Sequence, residues 1–197
     1  AMGRQLAKEH PVDADIVIDI PDSASAAAVG YAQETRIPYS HGLVKNRYVG
    51  RTFIEPDQRF RDLGVRMKFN PLPEVISGKR VVIVDDSIVR ATTTPHVVNM
   101  VRKAGAVEVH MRVCAPPIRF PCHFGVDMPN QRELIAANMS VEEVRQYVGA
   151  DSLGYMSMEG LLKTVGDKSD SFCAACFTGR YPIPVQLEMN KLALEHS

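Results

Sequence analysis

Two adjacent carboxylates, Asp85 and Asp86, follow directly on four β-branched residues, Val81 to Val84, and lead into Ser87, Arg90, Ala91 and a hydroxyl run, Thr92, Thr93 and Thr94. A continuous apolar run closed by a polar turn reads as a central strand of a parallel sheet, buried on both faces. In open α/β sheets ligands sit beyond the carboxyl ends of such strands, which puts both acids where chemistry is done. Beyond them Thr94 is suited to be an N-cap, Pro95 to open a helix and Gly105 to stop it. A helix start offers unpaired N–H groups and the positive end of its dipole, which suits a phosphate. Two carboxylates beside a phosphate cradle fit a sugar phosphate, with the acids on ribose hydroxyls or Mg²⁺. The plainer alternative is a buried strand that ends in a solvated Asp-Asp-Ser turn.

The elements that must position these groups follow the order β-α-β-loop-β-α-β, which predicts a mostly parallel sheet covered by helices. Residues 1–7 look like part of a helix. Asp15 to Ile20 is a first strand, ended by Pro21, Asp22 and Ser23, and the alanine-rich stretch from Ala24 to Glu34 is the next helix. Ile37 to Tyr39 opens a second strand that Leu43 and Val44 extend. Val81 to Val84 is the third. In the fourth, Val107, Val109, Met111 and Val113 alternate with Glu108, His110, Arg112 and Cys114. That alternation predicts a half-exposed strand near an edge, with His110 facing outward.

At 197 residues, 45% of them hydrophobic, the chain can bury a core without staples. Lys plus Arg and Asp plus Glu are both 23, giving a formal net charge of zero. A nucleic-acid partner or an anionic membrane calls for a basic excess, so neither is expected. No apolar run reaches transmembrane length and the start lacks a signal-peptide pattern. Four cysteines are too few for a disulfide scaffold, and a reducing, cytoplasmic location is expected.

Two further segments could carry chemistry. Lys45-Asn46-Arg47-Tyr48-Val49-Gly50-Arg51-Thr52-Phe53-Ile54 begins a long polar stretch that continues through Arg59, Arg61, Arg66 and Lys68. Its cations could close over a polyphosphate, or form a solvated basic face. The second is Cys173-Ala174-Ala175-Cys176, whose spacing lets two thiolates reach one metal, with Cys122 as a possible third. By itself a C-x-x-C is ambiguous among zinc, iron–sulfur and redox use, and unrelated buried cysteines are an equal alternative.

The Asp-Asp-Ser-Ile-Val-Arg-x-Thr-Thr wording resembles the phosphoribosyl-diphosphate (PRPP) motif of type I phosphoribosyltransferases, and in particular that of the amidophosphoribosyltransferases. The segment from Lys45 to Ile54 is similar to the flexible PRPP loop of the same family, and the likeness extends through Ala150-Asp151-Ser152-Leu153-Gly154-Tyr155. The resemblance implies a type I phosphoribosyltransferase core over residues 1–135 and a C-terminal, cysteine-containing helical extension over 136–197. It implies that Lys45, Arg47 and Arg51 act catalytically around the diphosphate, with Asn46 and Tyr48 beside them. Asp85, Asp86, Ser87, Arg90, Ala91 and Thr92 to Thr94 would bind PRPP. The Pro21-Asp22-Ser23 loop would hold diphosphate, and Ser23, Asp85 and Asp86 would share Mg²⁺. One branch of the family carries a [4Fe–4S] cluster, which implies Cys122, Cys173 and Cys176 as ligands. The fourth ligand and the glutaminase domain lie upstream in that family, so the chain is expected to be a fragment.

Three positions depart from the family pattern. Ala91 stands where the motif has Gly, Ala24 replaces a Gly often found after Pro-Asp-Ser, and Asp19 places a charge that would repel diphosphate. The function implied is displacement of diphosphate from PRPP by glutamine-derived ammonia, giving 5-phosphoribosylamine in the first committed step of purine synthesis. Purine nucleotides would be feedback inhibitors and the assembly a homo-oligomer. Two other readings stay open: a purine salvage phosphoribosyltransferase, and a non-catalytic module that binds PRPP or purine nucleotides.

Overall fold

The computed structural model of the chain describes residues 1–46, 68–128, 130–166 and 171–184. Helix α1 (Met2–Glu9) precedes strand β1 (Ile16–Asp19) and helix α2 (Ser25–Thr35). Two short strands follow, β2 (Leu43–Lys45) and β3 (Phe69–Pro71). Then come β4 (Arg80–Asp85), α3 (Thr94–Lys103), β5 (Glu108–Val113), α4 (Val141–Val148), β6 (Ser152–Tyr155) and α5 (Met158–Val165).

The main sheet is parallel, in the order β1-β4-β5-β6. Strand β4 is central and buried on both sides, as its unbroken apolar run requires. Val81 and Ile83 face one layer with Val97, Val98 and Val101 of α3 and Val144 and Val148 of α4. Val82 and Val84 face the other, with Leu6 and Ala7 of α1 and Ala28, Tyr31 and Ala32 of α2. Alternate residues of one strand thus serve both helical layers. The α1–α2 contact is close at Gly3, where an added Cβ would lie 1.8 Å from the carbonyl oxygen of Ala27. Among the described residues no helix is long and apolar enough to cross a membrane.

Strand β5 corrects the sequence expectation. It lies between β4 and β6, and His110 is 6% exposed. The alternation is real, but its polar face is covered rather than wet. His110 shares hydrogen bonds with Ser152 Oγ and Glu108 Oε2, both at 3.0 Å. Arg112 donates to the His10 carbonyl at 2.8 Å and to Ser152 Oγ at 3.0 Å. The covering strand, β6, lies past residue 135 in the same sheet as β1, β4 and β5.

The second expected strand also divides. Tyr39 makes an isolated parallel bridge to Val17 on the outer edge of β1. Leu43 and Val44 do not extend it; they pair antiparallel with Pro71 and Asn70 in a separate two-stranded sheet. Helix α3 has Thr93 rather than Thr94 as its N-cap, with no side-chain capping bond, and Thr94 as its first residue.

Candidate phosphate and carboxylate site

Asp85 closes β4 at the carboxyl edge of the sheet, and the chain then loops through residues 86–93 to the start of α3. Together they line a cleft of about 380 Å³, formed by Asp85, residues 87–94, Lys68, Val126, Asp127 and Met128. The loop is anchored from beneath by Ile88, which is 2% exposed, and its far end by the buried Thr94. Ala91 sits between them with φ +52°, in the left-handed region that glycine adopts without strain. Its methyl group is buried against the main core.

The two acids differ. Asp85 is buried and its Oδ1 accepts the Asp86 N–H at 2.8 Å, whereas Asp86 is exposed and accepts Ser87 Oγ at 3.1 Å. Burial, with Asp86 alongside, pushes the Asp85 carboxyl up to about 8. Cys114 follows β5 on the other side of the sheet, and burial followed by the charges of Asp85 and Asp86 pushes its thiol up to about 12. It is a buried packing thiol, outside the cysteine group described below.

The cleft gathers Asp85, Ser87, Arg90, Ala91 and Thr92 to Thr94 from the sequence candidates. Arg90 is already tied by its Nε to Glu133 Oε2 at 2.6 Å. Lys45 Nζ donates to Asp22 Oδ2 at 2.7 Å, joining the end of β2 to the loop after β1. Asp22 and Ser23 are exposed on that loop, and neither lines the cleft. Asn46 donates its backbone N–H to the Lys68 carbonyl. Arg47, Tyr48 and Arg51 lie outside the described residues. Lys68, which the sequence offered only as one cation of a long segment, lines the cleft. Burial, and then nearby Lys45, hold its ammonium below the usual lysine range. Asp19 does not present its charge to the cleft. It is fully buried, accepts hydrogen bonds from the Ser25 and Tyr39 hydroxyls, and lies 3.6 Å from His41 Nδ1.

The three remaining cysteines are brought into one neighbourhood. Cys122 and Cys176 pack against the small cluster of Ile118, Met128 and Leu134. The Cys176 carbonyl accepts the N–H groups of Arg119 and Phe120. Burial and then the charges of Cys122 and Cys173 raise the Cys176 thiol, and all three sulfurs act on the Tyr181 phenol. Among the described residues no group of three His, Cys, Asp or Glu side chains is placed to hold a metal ion. In number the cysteines would supply three of the four thiolates that a [4Fe–4S] cluster takes. The Asp85–Asp86 pair matches what Mg²⁺ asks of a protein, one or two carboxylates with the other positions left to water and phosphate.

The fold is that of a type I phosphoribosyltransferase, an α/β protein with a mostly parallel sheet. Its similarities are narrower still. The sequence is 53% identical to the amidophosphoribosyltransferase of Synechocystis sp., over 99% of this chain and 40% of that protein. It is 56% identical to that of Methanocaldococcus jannaschii over 95% of this chain and 39% of the relative, and 54% identical to that of Bacillus subtilis over 93% and 40%. Two solved structures agree. The glutamine PRPP amidotransferase of B. subtilis, complexed with ADP and GMP, superimposes with a TM-score of 0.84 at 52% identity, covering 96% of this chain and 42% of that one. A structure described as the allosteric regulatory enzyme of purine biosynthesis gives 0.83 at 53%, covering 93% and 40%. No protein-family model matches. The chain is homologous over nearly its whole length to amidophosphoribosyltransferases, and spans about 40% of the length of these relatives.

Proposed function

We propose that the chain is the phosphoribosyl-transfer part of an amidophosphoribosyltransferase, forming 5-phosphoribosylamine and diphosphate from PRPP and ammonia. The observation that carries this is the placement of buried Asp85 at the mouth of a loop that runs through Thr92, Thr93 and Thr94 into a helix start. In this reading residues 87–94 receive the 5′-phosphate on hydroxyls and N–H groups, while Asp85 and Asp86 take the ribose hydroxyls and Mg²⁺. Mg²⁺ when bound would neutralise the diphosphate. Lys68 at the cleft and Lys45, whose charge acts on it, join Arg47 and Arg51 around the departing group, where fixed cations favour the transition state over the ground state. Asn46, Tyr48, Asp22 and Ser23 belong to the same shell, Ser23 toward the metal.

Residues 1–135 carry the PRPP site of the transferase core and 136–197 form the extension, whose strand β6 completes the main sheet. Cys122, Cys173 and Cys176 hold an iron–sulfur cluster in the manner of the cluster-containing branch, completed by a ligand from outside this chain. Ammonia arrives from glutamine through a glutaminase domain, the protein is a cytoplasmic homo-oligomer, and purine nucleotides inhibit it. The B. subtilis relative, solved with ADP and GMP, supports the last point. A second reading, a non-catalytic binder of PRPP or purine nucleotide, draws on the Ala91 methyl within the loop.

Calorimetric titration of PRPP with and without Mg²⁺, followed by assay of phosphoribosylamine from PRPP and ammonia, separates these readings. Mg²⁺-dependent binding that Asp85→Asn removes, together with product, is the expected result. Binding without product favours the non-catalytic module, and a folded chain that binds no PRPP defeats both.

A further inference from the structure

Tyr155 ends β6 at the carboxyl edge of the sheet, and its hydroxyl oxygen is buried without a hydrogen-bond partner among the described residues. An orphan hydroxyl of this kind is unfavourable, and buried polar groups are rarely left so without a bound water or a function. Its place in the sheet is specific. Asp85 is in register with Val113, and Val113 with Tyr155, so the three stand abreast across β4, β5 and β6. Residues in register in parallel strands point to the same face, and Val113 and Tyr155 share one core layer with Ile83, two residues before Asp85. Asp85 is also the charged group that acts on the Tyr155 phenol. On its near side, Asp85 has the Asp86 N–H on Oδ1.

We propose that the Tyr155 hydroxyl is a positioning group for Asp85, joined to it through a buried water molecule, and that this tether sets the affinity of the cleft for the ribose hydroxyls of its ligand. A buried water needs two or more polar partners, and the orphan hydroxyl and the carboxylate provide them. Held from both sides, the carboxylate keeps one orientation toward the cleft; released, it must be ordered by the ligand at the ligand's expense. The role of the ribose hydroxyls rests on the function proposed above. The tether between the two residues does not.

Tyr155→Phe removes the oxygen and keeps the ring. Ribose 5-phosphate and inorganic phosphate are each titrated into the wild-type chain and the variant, and both are unfolded in urea, alone and combined with Asp85→Asn. The expected result is ribose 5-phosphate binding weakened five-fold or more, phosphate binding unchanged, and urea effects of the two substitutions that do not add. Equal ribose 5-phosphate affinity in the two chains, or a variant that is more stable and additive with Asp85→Asn, reduces Tyr155 to packing and overturns the proposal. A wild-type chain that binds neither probe removes the sugar-phosphate reading, and the urea cycle then decides the tether alone.

Discussion

Arg90, inside the loop that follows Asp85, donates from Nε to Glu133 Oε2 at 2.6 Å, and this ion pair ties the loop to the short 3₁₀ turn Gln131–Glu133. Both side chains are partly exposed, so the pair contributes about 0–1 kcal/mol to folding. Its effect is expected in loop order. Glu133→Ala should leave the urea midpoint almost unchanged and weaken PRPP binding several-fold, as read by calorimetry. Equal affinity in the two chains would show that the loop needs no such brace.

Ala91 adopts φ +52° within that loop. A left-handed Ala carries roughly 1 kcal/mol of strain that Gly does not. Replacing it loses about 0.8 kcal/mol of methyl burial and adds freedom to the unfolded chain. Ala91→Gly should therefore change stability by less than about 1 kcal/mol, while PRPP binds more tightly because the loop relaxes and gains room. Weaker binding by the variant would mean that the methyl group helps to hold the loop in shape.

Gly3 packs directly on the backbone of α2. A Cβ there cannot be absorbed by a side-chain rotation, so α1 and α2 must separate. Gly3→Ala is expected to destabilise the fold by roughly 1–3 kcal/mol, the range for overpacking in a tight contact, measured as a lower urea midpoint. An unchanged midpoint would show that α1 contributes little to the cooperative unit.

His110 gives the stability a pH dependence. Burial, and then the Arg112 charge, hold its pKa below the ordinary histidine value of 6.5, against the pull of Glu108 and Asp151. Below pH 6.5 the unfolded chain takes up a proton that the folded chain resists. This contribution is thus complete above pH 6.5 and is lost as the pH falls toward the folded value, at a rate of up to about 1.4 kcal/mol per pH unit. Urea unfolding at pH 7.5 and 5.5 should show a larger loss for the wild-type chain than for His110→Gln. Equal losses would place the acid sensitivity elsewhere.

Much of the site was legible because its signals are local. A short β-branched run closed by a polar turn favours a strand buried on both faces, and a strand so buried lies inside a sheet, as Val81 to Val84 do. Asp85, Asp86 and the threonines adjoin that run in sequence, so placing the strand placed them. The same locality misled at β5. Alternation reports which residues share a face, but not what covers that face, and the cover over His110 and Arg112 comes from β6 and the end of α1. Ser140 and Glu143 do form a capping box at the start of α4, a signal present in the sequence that could have located this helix.

The sequence by itself therefore determined the central strand, the acids at its end, and the class of fold that such a strand requires. The tertiary structure decided what meets those acids. Lys68 reaches the cleft, Asp19 is kept out of it, and Tyr155 stands in register with Asp85 because separate segments dock on the two sides of β4 and β5. Side-chain periodicity is fixed by the geometry of one strand, whereas neighbours across a sheet are fixed by the total burial that the whole chain can achieve.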